Sequence, residues 1–400
     1  MQTLVVVGAS LAGLSAARAA RAQGFAGRLV IIGDEAPRPY DRPPLSKDFL
    51  AGKIGLEDLA LEEVGEDLNA EWLLGVRAER FDAQSLTVTL NDGRSVSADK
   101  VIIATGASAR GLAELQGMQN VFTLRTLADA QALRPRLVSG HRLVVIGAGF
   151  IGAETASTAK AAGMDVTVVE RAVAPLAGPL GAQMGAAVAG LHEAAGVELL
   201  CGTGVSSFTM SGTSVSEVVL DNGRRLPADV VLVGIGAQPN VEWLEGSGIA
   251  LDNGVLCDAM GRTNRPGVSA VGDCAAWYDL QAQSHQRIEH WAGANERPAL
   301  AVAALLDENA VQQPVNPPYF WSDQYGSRIQ FAGQVRGHDR IEIEHGDVAE
   351  RCFLAVYYAG TEPVAVLGVD QTRQFTKWRK FLNKNAQQYL VPAGEFVAAS

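Results

Sequence analysis

Two glycine-rich turns in this chain have the residue types and spacing that hold a pyrophosphate. The fuller one reads Gly147-x-Gly149-x-x-Gly152, follows the apolar run 143–146 and opens an alanine-rich segment. Its first glycine allows a tight bend, the second lets the backbone approach the phosphates, and the third lets helix and strand pack closely. The following helix N-terminus favours negative charge. Because Glu170 closes the next strand, where a carboxylate can accept hydrogen bonds from a ribose, the motif predicts a dinucleotide site.

The same pattern occurs about 140 positions earlier, since residues 4–12 read LVVVGASLA and residues 143–151 read LVVIGAGFI. The small positions of the earlier copy are Gly8, Ser10 and Gly13. Serine is small and can still donate a hydrogen bond to phosphate. Asp34 and Glu35 follow the second strand, and either could hold an adenosine ribose. Two strand–turn–helix–strand units predict parallel sheets and two dinucleotide cofactors that face each other.

Three further apolar strands end in small or acidic residues. Residues 101–106 end in a small-residue turn, residues 230–240 repeat that form, and residues 268–273 end in Gly272-Asp273. Ligands of open α/β sheets collect at the carboxyl ends of the strands, so Asp273 is a candidate ligand contact. The alternative is that Asp273 caps the N-terminus of a helix.

These five pieces in this order resemble the flavoproteins of the disulfide-reductase-like superfamily, which have two dinucleotide-binding domains. A narrower resemblance is to the FAD-dependent NADH:ferredoxin reductases of Rieske oxygenase and bacterial P450 systems. It rests on PYDRPPLSK at 39–47, LRTL at 124–127, RIEHW at 287–291 and FWSDQYG at 320–326. The resemblance covers nearly the whole chain and weakens after about residue 385.

The resemblance implies an α/β fold with two Rossmann-like, glutathione-reductase-like dinucleotide-binding domains and a C-terminal α+β domain. The implied boundaries are 1–108 and 240–320 for a discontinuous FAD-binding domain, 109–239 for an inserted NAD-binding domain, and 321–400 for the C-terminal domain. Within the last of these, the apolar pattern predicts antiparallel strands at 335–343, 352–358 and 364–369. The linker before them is marked by Pro314, Pro317 and Pro318.

The resemblance also implies which residues contact FAD. They are Ala12, Asp34, Lys47, Arg125, Asp273 and Trp291. Besides these and the first glycine-rich turn, Glu35, Arg42 and Trp321 are further candidate contacts. Physically, the several fixed donors of Arg125 suit a phosphate or a flavin carbonyl, and Asp273 suits the ribityl hydroxyls. Trp291 and Trp321 could shield the flavin ring. From spacing alone either would be a core tryptophan, and the motifs around them favour the flavin.

Lys47 and Glu154 are the two predicted catalytic residues. Lys47 follows the Pro43-Pro44 turn, and Glu154 lies two residues after the last glycine of the second turn. The resemblance implies an ion pair between them near the flavin N5, beside the nicotinamide of NADH. The alternative for each residue is an ordinary surface charge.

Thiol and metal chemistry are not expected. The chain has four cysteines, and they form no CxxC pair or zinc-type cluster: Cys201, Cys257, Cys274 and Cys352. The region in which disulfide reductases carry a redox cysteine pair contains no cysteine here. The last histidine is His345, and His141 and His192 are interpreted as surface residues. Electrons should therefore leave the flavin directly, since the cofactor carries the chemistry and the protein orients it.

The composition excludes other classes of function. The formal net charge of −11 over 400 residues argues against nucleic-acid binding, which needs a dense basic surface. No stretch reaches 18 uncharged, mainly apolar residues without glycine punctuation, so no membrane span is expected. The expected location is the cytoplasm.

The implied partner is a small acidic [2Fe-2S] ferredoxin, which an acidic chain can dock only through a local basic surface. Residues 374–382 read as an amphipathic helix with Phe375, Trp378 and Leu382 inward. The candidate basic surface consists of Arg373, Lys377, Arg379, Lys380 and Lys384. The alternative is an ordinary solvated helix face.

The resulting functional hypothesis is a reductase that takes hydride from NADH onto FAD and passes single electrons to a ferredoxin feeding a P450 or Rieske oxygenase. One alternative is an NADH oxidase that reduces oxygen. Another is a redox-sensing interaction flavoprotein like apoptosis-inducing factor, which has the same architecture.

Overall fold

The computed structural model describes residues 1–307, 309–310 and 315–386. These residues form two parallel five-stranded sheets, one antiparallel five-stranded sheet and several smaller sheets. The α-helices of the described residues are α1 (Leu11–Ala22), α2 (Leu127–Leu133), α3 (Phe150–Ala161), α4 (Ala177–Ala194), α5 (Trp291–Leu306) and α6 (Thr372–Ala386). None of these helices has the length and apolar character to cross a membrane.

The first parallel sheet is built around the strand that precedes the first glycine-rich turn. Its strands, in spatial order, are Val268–Ala270, Lys100–Ile103, Thr3–Val7, Arg28–Gly33 and Ala70–Leu74. They are almost continuous apolar runs, as expected of parallel strands that are buried on both faces. One core joins this sheet to α1, to α5 and to the small antiparallel sheet Ala78–Asp82, Thr87–Leu90 and Ser95–Ser97.

The second parallel sheet repeats this construction around the second turn. Its strands, in spatial order, are Glu198–Cys201, Asp165–Glu170, Arg142–Ile146, Val230–Val233 and Val121–Phe122. A three-stranded antiparallel sheet packs on it, formed by Val205–Ser211, Ser214–Leu220 and Arg225–Pro227. The prediction of two Rossmann-like units from the internal repeat is therefore confirmed.

Two antiparallel connecting strands, Ala107–Ala109 and Ala237–Pro239, pair with each other where the chain passes between the two parallel sheets. The predicted boundaries at 108/109 and 239/240 fall in these strands and stay a prediction. After them, Val255–Cys257, Ala275–Asp279 and Ser284–Arg287 form a further small sheet before α5.

The C-terminal antiparallel sheet has the spatial order Tyr319–Gln324, Ser327–Gly333, Glu362–Val369, Cys352–Ala359 and Arg340–Asp347. The predicted strands at 352–358 and 364–369 are confirmed to within two residues. The predicted strand at 335–343 was wrong at its start, because Gly337 has a φ of 81° and a turn occupies 335–338 before the strand begins at Arg340. Pro314 of the predicted linker and residues 387–400 of the predicted C-terminal domain lie outside the described residues.

Helix α6 covers one face of this sheet. Phe375 is 1% exposed and Leu382 is 5% exposed, and Trp378 packs against the same cluster. The prediction of an amphipathic helix with these three side chains inward is confirmed.

The other face of the C-terminal sheet packs on α4 of the second parallel-sheet unit, and His192 lies in this interface. The interpretation of His192 as a surface residue was wrong, since it is 1% exposed. Its Nδ1 atom lies 2.8 Å from the hydroxyl of Tyr325, which is in the turn after strand Tyr319–Gln324. Burial lowers the pKa of His192 to about 4.

This buried histidine predicts a loss of stability on mild acidification. Between pH 6.5 and 4 the unfolded state binds a proton at His192 that the folded state excludes, so the free energy of unfolding falls as pH falls through that window. We expect a loss of about 2 kcal/mol from this residue between pH 7 and pH 5. His192→Gln, which does not titrate, should show a smaller difference between urea unfolding curves at these two pH values. An equal difference in both proteins would exclude this contribution.

Candidate functional site

The two glycine-rich turns have nearly the same backbone geometry. Gly8 has a φ of 125° and Gly147 a φ of 102°, values that side chains rarely allow. A Cβ atom on Gly13 would lie 1.8 Å from the carbonyl oxygen of Gly8, and one on Gly152 would lie 2.1 Å from that of Gly147. The outer glycines are therefore required for the turn and for the contact between strand and helix.

The middle positions of the turns differ. Gly149 is the N-cap of α3, and a Cβ there would meet only the Gly234 carbonyl oxygen, at 4.0 Å. Ser10 is the N-cap of α1, and its Oγ accepts a hydrogen bond of 3.2 Å from Arg42 Nε. The second turn thus leaves open space over a helix N-terminus, whereas side chains approach the first turn.

A cavity of about 530 Å³ begins at the first turn and extends to α3 and the C-terminal sheet. The predicted site residues that line it are Gly8, Ser10, Ala12, Asp34, Glu35, Arg42, Lys47, Arg125, Glu154, Asp273, Trp291 and Trp321. Gly13 packs against the backbone of the same turn, at the carbonyl oxygen of Gly8. The remaining predicted residues, Gly147, Gly149, Gly152 and Glu170, lie at the second turn and do not line this cavity.

The structure distinguishes the two acids that follow the first unit's second strand. Both carboxylate oxygens of Glu35 have partners, since Tyr40 Oη and Arg42 Nη2 each donate to them over 2.5 Å. Among the described residues, no hydrogen bond or ion pair engages the Asp34 carboxylate, which is exposed at the cavity. Asp34 is therefore the acid of this pair whose carboxylate has no partner among the described residues.

Two arginines are held at the middle of the cavity. Arg42 Nη1 donates to the Arg125 carbonyl oxygen over 2.9 Å, and Arg125 Nε donates to that of Ala107 over 3.0 Å. Arg125 also forms an ion pair with Asp273, whose backbone lies in the turn after strand Val268–Ala270. This arrangement places fixed cationic donors and a carboxylate where a ligand of mixed charge could bind.

Lys47 and Glu154 form an ion pair, with 2.7 Å between Nζ and Oε2. The Pro43-Pro44 pair favours the 3₁₀ turn Pro43–Ser46 because each ring fixes φ, and this turn delivers Lys47 to the cavity. Thr158 Oγ1 donates to the Ser46 carbonyl oxygen over 2.8 Å and so ties the turn to α3, which carries Glu154. The Glu154 side chain is 4% exposed and that of Lys47 is 18% exposed. Neither residue is therefore the ordinary surface charge that was the alternative interpretation.

Aromatic rings line one end of the cavity. The rings of Trp291 and Trp321 meet edge to face with centroids 6.0 Å apart. Trp291 Nε1 donates to Asp41 Oδ1 over 2.9 Å, and burial raises the pKa of Asp41 from its usual value. The tryptophans are thus fixed at the cavity by contacts between distant parts of the chain.

The cavity contains a buried polar atom that lacks a protein partner. His290 precedes α5 and lines the cavity, and its Nδ1 has no hydrogen-bond partner among the described residues. Burial lowers the pKa of His290 to about 4, so the ring is neutral near pH 7. An unpaired buried nitrogen at the cavity wall, together with the free Asp34 carboxylate, fits a site that receives a polar ligand.

Glu170 lies at the second turn as predicted from the sequence. One carboxylate oxygen accepts the backbone N–H of Ala148 over 2.7 Å, and the other accepts that of Ala172 over 2.8 Å. The carboxylate therefore both braces the glycine-rich turn and presents negative charge beside it. Arg171, the next residue, is exposed.

Comparison with known proteins agrees with this geometry. Residues 2–304 match the pyridine nucleotide-disulphide oxidoreductase family, and residues 319–391 match the reductase C-terminal family. The chain is 36% identical over 387 residues to putidaredoxin reductase of Pseudomonas putida, covering 95% of this chain and 91% of that protein. The chain belongs to the pyridine nucleotide-disulphide oxidoreductase family.

Other relatives place it within the ferredoxin reductases of that family. It is 37% identical over 375 residues to the ferredoxin–NAD(+) reductase subunit of the benzene 1,2-dioxygenase system of Pseudomonas putida, covering 93% of this chain and 90% of that protein. A solved structure of a covalent putidaredoxin reductase–putidaredoxin complex superimposes with a TM-score of 0.91 at 35% identity, covering 96% of this chain and 93% of that chain. A ferredoxin reductase from Rhodopseudomonas palustris also superimposes with a TM-score of 0.91, at 31% identity and 98% coverage of each chain.

The cofactors of this family are FAD and NADH, and the chain uses both. Unlike the disulfide reductases that give the family its name, it has Ser46 and Lys47 after the Pro-Pro turn and no cysteine before Cys201. All four cysteines are free in the structure. No group of histidine, cysteine and acidic residues in the described part of the chain could hold a metal ion.

Several site residues were missed at the level of sequence. Asp41 and Ser46 lie inside the motif at 39–47, His290 inside that at 287–291 and Ser322 inside that at 320–326. Their contacts with Trp291, Glu154 or the cavity join parts of the chain more than 100 positions apart. The only sequence signal for Ser322 is that a polar residue occupies a position that should be buried.

The Glu170 carboxylate predicts a preference for NADH over NADPH. A carboxylate here accepts hydrogen bonds from a ribose 2′-OH and repels a 2′-phosphate. Glu170→Gln keeps an oxygen acceptor for the turn and removes the charge, so it should lower the NADH/NADPH ratio of kcat/KM by about tenfold. Steady-state kinetics with ferricyanide as acceptor measure that ratio. If it stays at the wild-type value, the carboxylate charge does not set the preference, and Arg171→Ala tests the neighbouring cation.

Proposed function

We propose that this chain oxidises NADH through FAD and passes single electrons to a [2Fe-2S] ferredoxin that feeds a P450 or Rieske-type oxygenase. The observation that carries the proposal is the ion pair between Lys47 and the buried Glu154, which lies at one side of a cavity. The aromatic end of this cavity leads to a basic helix. The relatives support it, since their names describe reductases of ferredoxins in P450 and dioxygenase systems. Dependence on NADH, a reductant of the cell interior, favours the cytoplasm as its location.

The site residues divide between the two cofactors. FAD would be held by the first turn (Gly8, Ser10, Ala12, Gly13), Asp34, Arg42, Lys47, Arg125, Asp273, Trp291 and Trp321. Glu35, already paired with Arg42, would act by orienting that arginine. NADH would be held by Gly147, Gly149, Gly152 and Glu170 at the second turn. Both placements are supported by the N-termini of α1 and α3, which lie at the carboxyl ends of parallel strands.

FAD supplies the step that this function needs, because a flavin accepts a hydride and gives up electrons one at a time. The protein residues provide charge and orientation. The Lys47 ammonium, held by Glu154 and by the carbonyl oxygen of Pro43 at 3.3 Å, is a fixed cation at the cavity wall. A preorganised cation stabilises negative charge that develops during hydride transfer.

A row of aromatic rings connects the cavity with the basic helix. Trp321 contacts Trp291 on one side, and on the other it stacks on Tyr319 with centroids 6.0 Å apart and planes at 25°. The Arg379 guanidinium lies 3.7 Å from the centroid of the Tyr319 ring. This row supports electron transfer from the cavity toward α6.

Helix α6 provides the docking surface in this proposal. It contains no acidic residue, although the whole chain has a formal charge of −11. Arg373, Lys377, Lys380 and Lys384 are exposed, and Arg379 is half-buried against Tyr319. Phe381, 45% exposed, adds an apolar contact among these charges. A basic and partly aromatic patch is suited to a small acidic protein.

The ion pair predicts a specific kinetic defect. Glu154→Gln should slow the reduction of bound flavin by NADH by about tenfold or more, because Lys47 loses the charge that orients it. Stopped-flow absorbance at saturating NADH measures the rate constant, and the flavin content of the purified variant checks that FAD is still bound. Wild-type rate constants in both Glu154→Gln and Lys47→Ala would contradict the role of the pair.

The docking surface predicts that electron transfer to ferredoxin weakens with salt. Complementary charge speeds encounter and is screened as ionic strength rises, so ferredoxin reduction should slow while ferricyanide reduction changes little. Lys377→Glu with Lys380→Glu should raise the KM for ferredoxin about tenfold. The matched control is Arg77→Glu with Arg80→Glu, which makes the same charge change at two exposed positions, one just before the Ala78–Asp82 strand and one within it.

Unchanged ferredoxin kinetics in the α6 variant would place the docking surface elsewhere. Rapid NADH-dependent oxygen consumption without any ferredoxin would instead favour the NADH oxidase. Slow turnover with every ferredoxin, together with NADH-dependent dimerisation, would favour the redox-sensing interaction protein.

A further inference from the structure

Strand Tyr319–Gln324 presents its two faces to different parts of the molecule. Its alternate residues Phe320, Ser322 and Gln324 are 7%, 0% and 2% exposed. The ring of Phe320 packs on that of Phe150 at the start of α3, with centroids 4.5 Å apart. One face of this C-terminal strand therefore lies against the helix that carries Glu154.

Two polar side chains on that face form a hydrogen-bond chain with a defined direction. Gln324 Nε2 donates to Ser322 Oγ over 3.0 Å, and Ser322 Oγ donates to Glu154 Oε1 over 2.6 Å. An amide NH₂ group only donates, and a hydroxyl has a single proton. Because Gln324 occupies a lone pair of Ser322, the Ser322 proton is directed at Glu154.

The second carboxylate oxygen of Glu154 is held from the opposite side. Ser46 Oγ donates to Oε2 over 2.5 Å, and Lys47 Nζ lies 2.7 Å from the same atom. Both oxygens are thus fixed by donors that come from two distant parts of the chain. A buried carboxylate that is held by this set of donors adopts one orientation. That orientation also determines where the Lys47 ammonium lies, because Lys47 is bound to the same carboxylate.

We propose that Ser322 and Gln324 are positioning residues for hydride transfer, which orient Glu154 and through it the Lys47 ammonium. The C-terminal sheet is then part of the hydride-accepting site as well as the base of the ferredoxin docking surface. This inference rests on the proposed role of the Lys47–Glu154 pair and adds that the pair acts only when the C-terminal strand holds it.

The first test is Ser322→Ala, examined in the FAD-loaded protein. Removing a hydrogen bond to a charged group should lower the limiting rate constant of flavin reduction by about tenfold. The NADH concentration that gives half of that limiting rate should stay within about twofold of wild type, since Ser322 orients Glu154 and does not bind NADH. The midpoint potential of the bound flavin should become more negative, because a less well-placed cation stabilises the reduced form less.

A matched control separates positioning from damage to the interface. Ser157 lies on the same helix, and its Oγ accepts the backbone N–H of Tyr325 over 2.7 Å, at the end of the same strand. Ser157→Ala removes a contact between the same two elements, yet Ser157 has no bond to Glu154. It should leave both the rate constant and the potential unchanged.

Two further variants test the direction of the hydrogen-bond chain from Gln324 through Ser322 to Glu154. Ser322→Thr keeps a hydroxyl and should retain most of the rate. Gln324→Met keeps the length of the side chain and removes the donor to Ser322, so it should slow flavin reduction by about threefold in the wild-type background and have no further effect in Ser322→Ala. Such non-additivity is expected of residues that act through one hydrogen-bond chain.

The outcomes distinguish this inference from the function on which it rests. If Glu154→Gln slows flavin reduction and Ser322→Ala does not, the positioning role is wrong and the proposed function stands. If Ser322→Ala and Ser157→Ala slow it equally, the effect is a loosened interface and the positioning role is again wrong. If neither Glu154→Gln nor Ser322→Ala changes the rate or the potential, the proposed role of the ion pair fails together with the inference.

Discussion

The burial of the Glu154 carboxylate is the constraint on which the arrangement of this protein depends. A charge removed from water is costly unless hydrogen bonds and an opposite charge replace the lost hydration. Here the donors are Ser46 and Lys47 from the first parallel-sheet unit and Ser322 from the C-terminal sheet, while Glu154 itself lies on α3 of the second unit. All of these donors reach the carboxylate only when the three parts are docked, so this one group favours a single relative position, together with the apolar interfaces between the parts.

In the proposed assignment of the cofactors, the two glycine-rich turns use the same backbone geometry for two different cofactors. Gly8 and Gly147 make the same tight bend, and the differences lie at the middle position. At the first turn Ser10 is approached by Arg42, which suits a cofactor that is held by many side chains. At the second turn Gly149 faces open space, which suits a cofactor that must bind and leave in every cycle. The residue at one position thus fits FAD as a bound group and NADH as a substrate.

Local patterns predicted much of this structure, because the units are built from short periodic segments. The repeat predicted both parallel sheets. The Lys47–Glu154 pair was implied by the family resemblance and not by the local pattern alone. Contacts between distant segments could not be predicted in this way. His192 was placed on the surface because its partner Tyr325 lies 133 positions away, and the choice between Asp34 and Glu35 depended on how Arg42 folds back.

The register of strand Tyr319–Gln324 positions residues for both steps of the proposed reaction, which are hydride transfer to the flavin and electron transfer away from it. Successive side chains of a strand point to opposite faces, so Ser322 lies against α3 while Trp321 joins the aromatic row. Pairing with the next strand fixes this choice, with Trp321 opposite Gln330 and Ser322 opposite Ile329. A slip of one residue would bring Trp321 to Glu154 and turn Ser322 away from it. In the proposed reaction, the same hairpin register therefore positions both the residues beside the hydride-accepting site and those on the route by which electrons leave.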